Sequence, residues 1–276
     1  MTLSRGWKLV ARAGAVVLVL SYGIPLLWIV LTSIKTEAEL GQSLSSLNFT
    51  PTLSAYSGIW GTIAQPLVNS VEIAGGAVVV ILVMAVLACF GLTHIQGRWT
   101  KLVISGSLGL CVVLQLVPQP TTVIPIYGVL AQAHLINSVP GLILADAALL
   151  LPLSVLLLRP FFLNIPRELE EAALVDGASP RTVLWRVVLP LIGNGLVTVG
   201  VLMFAITWGE FIYASTFINS QGLLPVSVVL LDQVGNLVAN WNALMALAVV
   251  TSLPLLVVFV VSRRRLREGL LVGAIK

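Results

Sequence analysis

Side chains of acidic, small and helix-breaking type recur at close spacing between Arg167 and Pro190, where Glu171, Ala172, Ala173, Asp176, Gly177 and Pro190 stand together. The chemistry such residues offer is recognition rather than bond-making. The acids are solvated, the paired alanines leave a surface that another protein can approach closely, and the glycine can take the left-handed turn that ends a helix. A second group lies within or beside apolar stretches: Gln115, Gln119, Asp146, Trp208 and Glu210. Polar groups at such places face a water-filled passage or a protein interior. Asp146 therefore reads equally as part of a passage or as a hydrogen-bonded partner to another subunit or to a nearby Ser, Thr or Gln. The aromatics around Glu210, Trp208 and Tyr213, read as anchors at a membrane interface before they read as platforms for a solute. His94 and His134 stand alone as solvated loop residues. Cys89 and Cys111 lie in apolar segments without paired spacing, so the sequence predicts no catalytic residue, no metal ligand and no disulfide.

The elements that must position these residues are helices in lipid. Hydrophobic residues make up 58% of the 276 and charged residues 9%, with a mean hydropathy of +1.05. Soluble domains carry about a quarter charged residues. The expectation is an all-α, polytopic membrane protein forming one domain over residues 1–276. Six apolar segments, at about 13–34, 67–92, 102–130, 139–158, 187–212 and 241–261, supply six transmembrane helices. The first is too long for a cleaved secretory leader. The third contains Pro118, Pro120 and Pro125 and would reach about 43 Å if straight, more than the ~30 Å hydrocarbon core, so it must tilt or break.

The net charge of +4 reports orientation rather than nucleic-acid binding. With both termini on the inner side, fourteen of the fifteen Lys and Arg residues fall inside and only Lys35 outside. That asymmetry places both termini and the loop at 164–190 in the cytoplasm. Arg263 to Arg267 would rest against anionic lipid headgroups. Within the loop, Pro166 and Glu168, Glu170 and Glu171 suit a helix start, Gly177 a helix end, and Ser179-Pro180 a second start. The reading is two short helices joined at a corner.

This spacing resembles the cytoplasmic loop of membrane subunits in ATP-binding-cassette importers: Glu-Ala-Ala, three residues, Gly, nine residues, Ile, one residue, Leu-Pro. Glu171, Ala172, Ala173, Gly177, Leu189 and Pro190 match, and Val187 stands for the Ile. Ile124-Pro-Ile-Tyr127, Asn137 with Gly141-Leu-Ile-Leu144, Phe161-Phe162 with Ile165-Pro166, and Gly273-Ala-Ile-Lys276 are similar to the carbohydrate-uptake branch, that of the maltose transporter's smaller membrane subunit. Gly209 departs from that branch, where Asn is usual. The resemblance implies a type I importer permease fold with a cytoplasmic coupling loop, in a prokaryotic inner membrane. Its partners would be a second permease subunit, two ATPase subunits and an external solute-binding protein, and its cargo a carbohydrate. Glu171 would contact a basic ATPase residue. No phosphate-binding Gly-x-x-x-x-Gly-Lys-Ser/Thr loop occurs in the sequence, so ATP and Mg would be held by the partner ATPase, no cofactor by this chain, and no nucleic acid is expected. The competing class is an ion-gradient-driven secondary transporter or channel. It would call for paired intramembrane charges or an inverted repeat, and the sequence shows Asp146 nearly alone and no clear repeat.

Overall fold

The computed structural model describes residues 5–42, 48–95, 97–235 and 240–274. In chain order the helices are α1 (Arg5–Ser33), α2 (Glu37–Gln42), α3 (Ser54–His94), α4 (Thr100–Leu116), α5 (Gln119–Gln132), α6 (Val139–Leu163), α7 (Arg167–Val175), α8 (Pro180–Val183), α9 (Leu189–Leu191), α10 (Gly193–Trp208), α11 (Ile212–Phe217), α12 (Val226–Gly235) and α13 (Trp241–Ala274). Among the described residues no strand occurs. Among the described residues four helices are long and apolar enough to cross a membrane, and up to six spans result if each of two bent pairs counts as one.

The bends follow from proline. Val117 precedes Pro118 and is extended (φ −74°, ψ 119°), because a proline ring disfavours the helical region for the residue before it. There α4 and α5 turn by 105°, so the long third segment breaks rather than tilts. In the fifth segment Pro190 has no N–H for the helix ladder. A π-turn over Leu184–Val188 absorbs the defect, with Leu189 N–H bonding Leu184 C=O five residues back. The segments on either side of Ile192 then diverge by 75°.

Two segments are more helical than their polarity suggests. Residues 54–66, expected as loop, form the first turns of α3, because Ala55, Ile59 and Ile63 recur at helical spacing and Ala55 and Ile63 are buried. The basic run after residue 261 continues α13, since Arg, Leu and Glu are good helix formers.

The chain divides into two compact units, residues 1–64 with 229–253, and residues 65–228 with 254–276. In the first, Thr36 and Glu39 form a capping box at α2: Thr36 N–H donates to Glu39 Oε2 (3.0 Å) and Glu39 N–H to Thr36 Oγ1 (3.3 Å). Glu39 Oε1 also accepts from Thr50 N–H at 2.9 Å. Thr50 first, and then Thr36, hold this carboxyl below the usual range. Lys35 is buried, its ammonium 5.2 Å from the ring centres of Trp28 and Phe49.

The second unit has a continuous core. Ala77, Ile81, Ala85 and Cys89 form a stripe along α3, packed with Leu150, Val155 and Leu158 of α6 and with Val188, Val199 and Met203. Lipid tails are as apolar as leucine, so close backbone approach rather than dewetting holds such helices together. Glycines permit it: a Cβ on Gly76 would meet Ile143, and one on Gly195 would meet the ring of Phe161. Gly195→Ala should therefore destabilise the purified protein by about 1–3 kcal/mol. Gly193→Ala, with nothing within 4 Å, should leave its melting temperature unchanged; equal melting curves for the two variants would contradict this packing.

Candidate coupling site

The loop at 164–190 folds as two helices meeting at a corner. Pro166 (φ −61°, ψ 127°) precedes α7, and Glu168 and Glu170 occupy its first turn, where the helix dipole favours negative charge. Asp176 ends the helix and Gly177 takes φ +85°. Ala178 N–H reaches back to Ala173 C=O (2.9 Å) and Gly177 N–H to Leu174 C=O (3.0 Å). This double closure is a Schellman motif, which needs a left-handed residue where Gly177 stands. Ser179 Oγ then accepts from Thr182 N–H (3.3 Å) to start α8, with Pro180 in its first turn.

The corner is tied to the membrane helices from behind. His94, expected to be a lone solvated residue, ends α3, packs with its ring tilted against Phe90, ring centres 4.1 Å apart, and meets the Glu170 carboxylate through Nε2. Ala173 and Ala178 pack against the core of the second unit. Of the two alanines read as a docking surface, only Ala172 is fully outward; Ala173 is half-buried against its own chain. Glu171, Asp176, Gly177 and Pro190 are exposed.

The sequence reading passed over the apolar part of this face. Val175 is 87% exposed and Leu169, Leu174 and Trp185 are also open. Charge marked the stretch as aqueous, which drew attention away from Leu174-Val175 directly before the corner. Large apolar side chains exposed together on a polar loop are a feature of protein–protein or membrane interaction sites.

The other candidate residues gather in the second unit, around the chain reversal after α10. Glu210 Oε1 accepts from Tyr213 N–H (2.8 Å) and from Gln119 Nε2 (2.7 Å), and Oε2 accepts from Ala214 N–H (3.0 Å). It thus satisfies the first donors of α11 and fastens that helix to α5. Trp208 stacks on Phe204 inside the chain, and Tyr213, whose hydroxyl meets Thr122, is fully buried. Neither ring is the surface anchor or platform that its position suggests. Asp146 is 1% exposed, and among the described residues neither of its carboxyl oxygens has a hydrogen-bond partner. It lines a cavity of about 10 Å³ with Ser70, Thr207 and Glu210. Gln115 is exposed on α4 and donates to Leu149 C=O at 3.3 Å.

Two asparagines complete this assembly. Asn69 Nδ2 donates to Gly222 C=O and Leu224 C=O (2.9 and 3.0 Å), and Asn137 Oδ1 accepts from Asn219 and Ser220 N–H (2.9 Å each). Their role as clamps on residues 218–226 depends on contacts across more than 80 residues, which no local pattern announces.

Comparison with known proteins bears on the chain as a whole. Residues 5–271 match the family described as "Binding-protein-dependent transport system inner membrane component". The chain is 33% identical, over 91% of its length and 88% of the relative's, to the sulfoquinovosyl glycerol transport system permease protein SmoH of Agrobacterium fabrum. It is 29% identical, over 94% of both chains, to the trehalose transport system permease protein SugB of Mycobacterium tuberculosis. Among solved structures, a chain of a bacterial ABC transporter involved in the import of the acidic polysaccharide alginate matches with a TM-score of 0.80 at 21% identity, covering 96% of this chain and 99% of that one.

The geometry of the corner carries a prediction of its own. Gly177→Val forces a β-branched residue to φ +85°, at a cost of ~1–2 kcal/mol, and should loosen the elbow without unfolding the bundle. Limited proteolysis should then cut near residue 177 at least several-fold faster at an unchanged melting temperature. Equal cleavage rates would contradict a glycine-dependent corner.

Proposed function

Because this chain belongs to the binding-protein-dependent transport system inner membrane components, we propose that the α7–α8 elbow is where it receives work from an ATP-hydrolysing partner while it moves a carbohydrate across the membrane. The chain is a multi-pass permease subunit of an importer and not an enzyme. The observation that carries the coupling role is the exposed elbow itself: Val175 87% open, Glu171 beside it, and the corner fixed behind by Gly177 and the His94–Glu170 pair.

In this reading Glu171 meets a basic group of the ATPase, Ala172 lets the two backbones approach, and Leu174 and Val175 fill an apolar cleft. Asp176 and Gly177 set the angle between the helices, and Pro190 with its π-turn relays the movement into α10. Movement of the ATPases on binding nucleotide would push the elbow as one piece, because its helix-end hydrogen bonds leave it little freedom to bend. ATP and Mg belong to that partner. A second permease subunit, a second ATPase and an external solute-binding protein complete the proposed assembly. The charge asymmetry supports cytoplasmic termini in a prokaryotic inner membrane. The relatives named for sulfoquinovosyl glycerol and trehalose transport support a sugar or sugar derivative as cargo.

For the passage, exposed Gln115 and half-buried Gln119 at the α4–α5 break suit direct contact with a hydroxylated solute. Asp146, Trp208 and Glu210 stand behind them: Glu210 holds Gln119 in place, and Asp146 and Trp208 shape the packing beneath.

Reconstituted transport tests the reading in two arms. Val175→Asp buries a charge at the docking face, which costs several kcal/mol when unpaired, and should reduce ATP-driven uptake at least ten-fold with the bundle still folded. Full uptake by that variant would refute the coupling role. Gln119→Ala should raise the half-saturating solute concentration and Asp146→Ala should lower the maximal rate. Unchanged affinity and rate in both would remove them from the passage.

A further inference from the structure

The second unit contains a large apolar groove that neither the elbow nor the proposed passage uses. Its volume is about 980 Å³, and it runs between α6, α10 and α13. Leu157 and Phe161 form one wall, Leu202 and Ala205 another, and Phe259 the third. At one end Arg263 and Arg267, one helical turn apart on α13, also line it. No acidic side chain is among its lining residues. The nearest acid in sequence, Glu268, is taken up by Asn194 Nδ2 at 2.9 Å, and Gly269 lies against Thr198, so α13 is held to α10 there.

Position along α13 sets the depth of the arginines. Arg263 is 22 residues after Trp241, which is about 33 Å at helical rise, against a hydrocarbon core of ~30 Å. The two guanidiniums thus fall at headgroup level while the groove lies along the acyl chains. A long apolar slot that ends in two exposed cations at the membrane boundary calls for one molecule that is apolar for most of its length and anionic at one end. A sugar fits poorly, since the walls offer it almost no hydrogen-bonding groups. A zwitterionic lipid would leave the pair of positive charges only partly matched.

We propose that this groove is a specific binding site for one anionic phospholipid, its phosphate held by Arg263 and Arg267 and an acyl chain along Leu157, Phe161, Leu202 and Phe259. Basic pockets between membrane helices are suited to such headgroups. The site rests on the chain spanning a membrane, and its placement in the cytoplasmic leaflet rests on the orientation proposed above. Bound there, the lipid bridges α6 and α13 next to the start of α10.

The test uses the importer assembled with its partner subunits in lipid nanodiscs, with phosphatidylglycerol and phosphatidylcholine as the probes and retained lipid read by native mass spectrometry. The intact complex should hold phosphatidylglycerol in preference to phosphatidylcholine. Arg263→Gln with Arg267→Gln should weaken phosphatidylglycerol retention roughly 25-fold, equivalent to ~1 kcal/mol for each basic residue at an anionic surface. Lysine at both positions should restore it. Ala205→Trp, which fills the groove and leaves both arginines, should expel the lipid. Equal retention of the two lipids, or unchanged retention in the glutamine or tryptophan variants, would overturn the site. So would a photo-crosslinker at Leu202 that captures the second permease subunit instead of phosphatidylglycerol. Loss of uptake with lipid retention intact would count against the transport reading and leave the site standing.

Discussion

Gly177 holds φ +85° at a corner where this apolar chain presents polar residues with large hydrophobic side chains exposed among them. A side chain at that position would strain the backbone, and without the turn the two closing hydrogen bonds from Gly177 and Ala178 could not form together. Everything proposed for the elbow follows from that geometry. It fixes which side of α7 is outward, leaves Val175 and Glu171 open, and folds Ala173 and Ala178 back onto the core. The His94–Glu170 pair adds a second fixed point, so a push on α7 is delivered to the end of α3 as well as through α8 into α10.

The rest of the second unit is consistent with such a lever. Its core is a stripe of small and branched side chains along α3 against α6, with glycines where helices approach most closely. Such packing transmits displacement because it has few voids to absorb it. Far along the chain from the elbow, Glu210, Asn69 and Asn137 hold the reversal after α10 through charge-assisted and amide hydrogen bonds. These are the groups that lipid would leave unsatisfied if the loop came away. Asp146 sits beside Glu210 with no hydrogen-bond partner of its own among the described residues.

How much of this was legible in the sequence depended on the range of the interactions. The helical class, the broken third segment and the two-helix elbow with its capping residues rest on composition and on contacts within about five residues, and these read directly. Pro118 announced the first break and Ser179-Pro180 the start of α8. Residues 54–66 were read as loop because their polarity outweighed a helical stripe of only three apolar positions. The burial of Lys35 between two rings was not legible, because it depends on Phe49, in a different segment. The same holds for His94 with Glu170, 76 residues apart, and for Gln119 with Glu210, 91 residues apart.

The most direct measurement is on the exposed tip of the elbow. A single cysteine in place of Val175, in a chain whose native Cys89 and Cys111 have been replaced, can be titrated with a membrane-impermeant thiol reagent in inside-out and right-side-out vesicles, with and without the ATPase subunits. The account predicts rapid labelling only in inside-out vesicles, and protection once the ATPases are assembled. Labelling from the outside, or labelling that the ATPases leave unchanged, would contradict it.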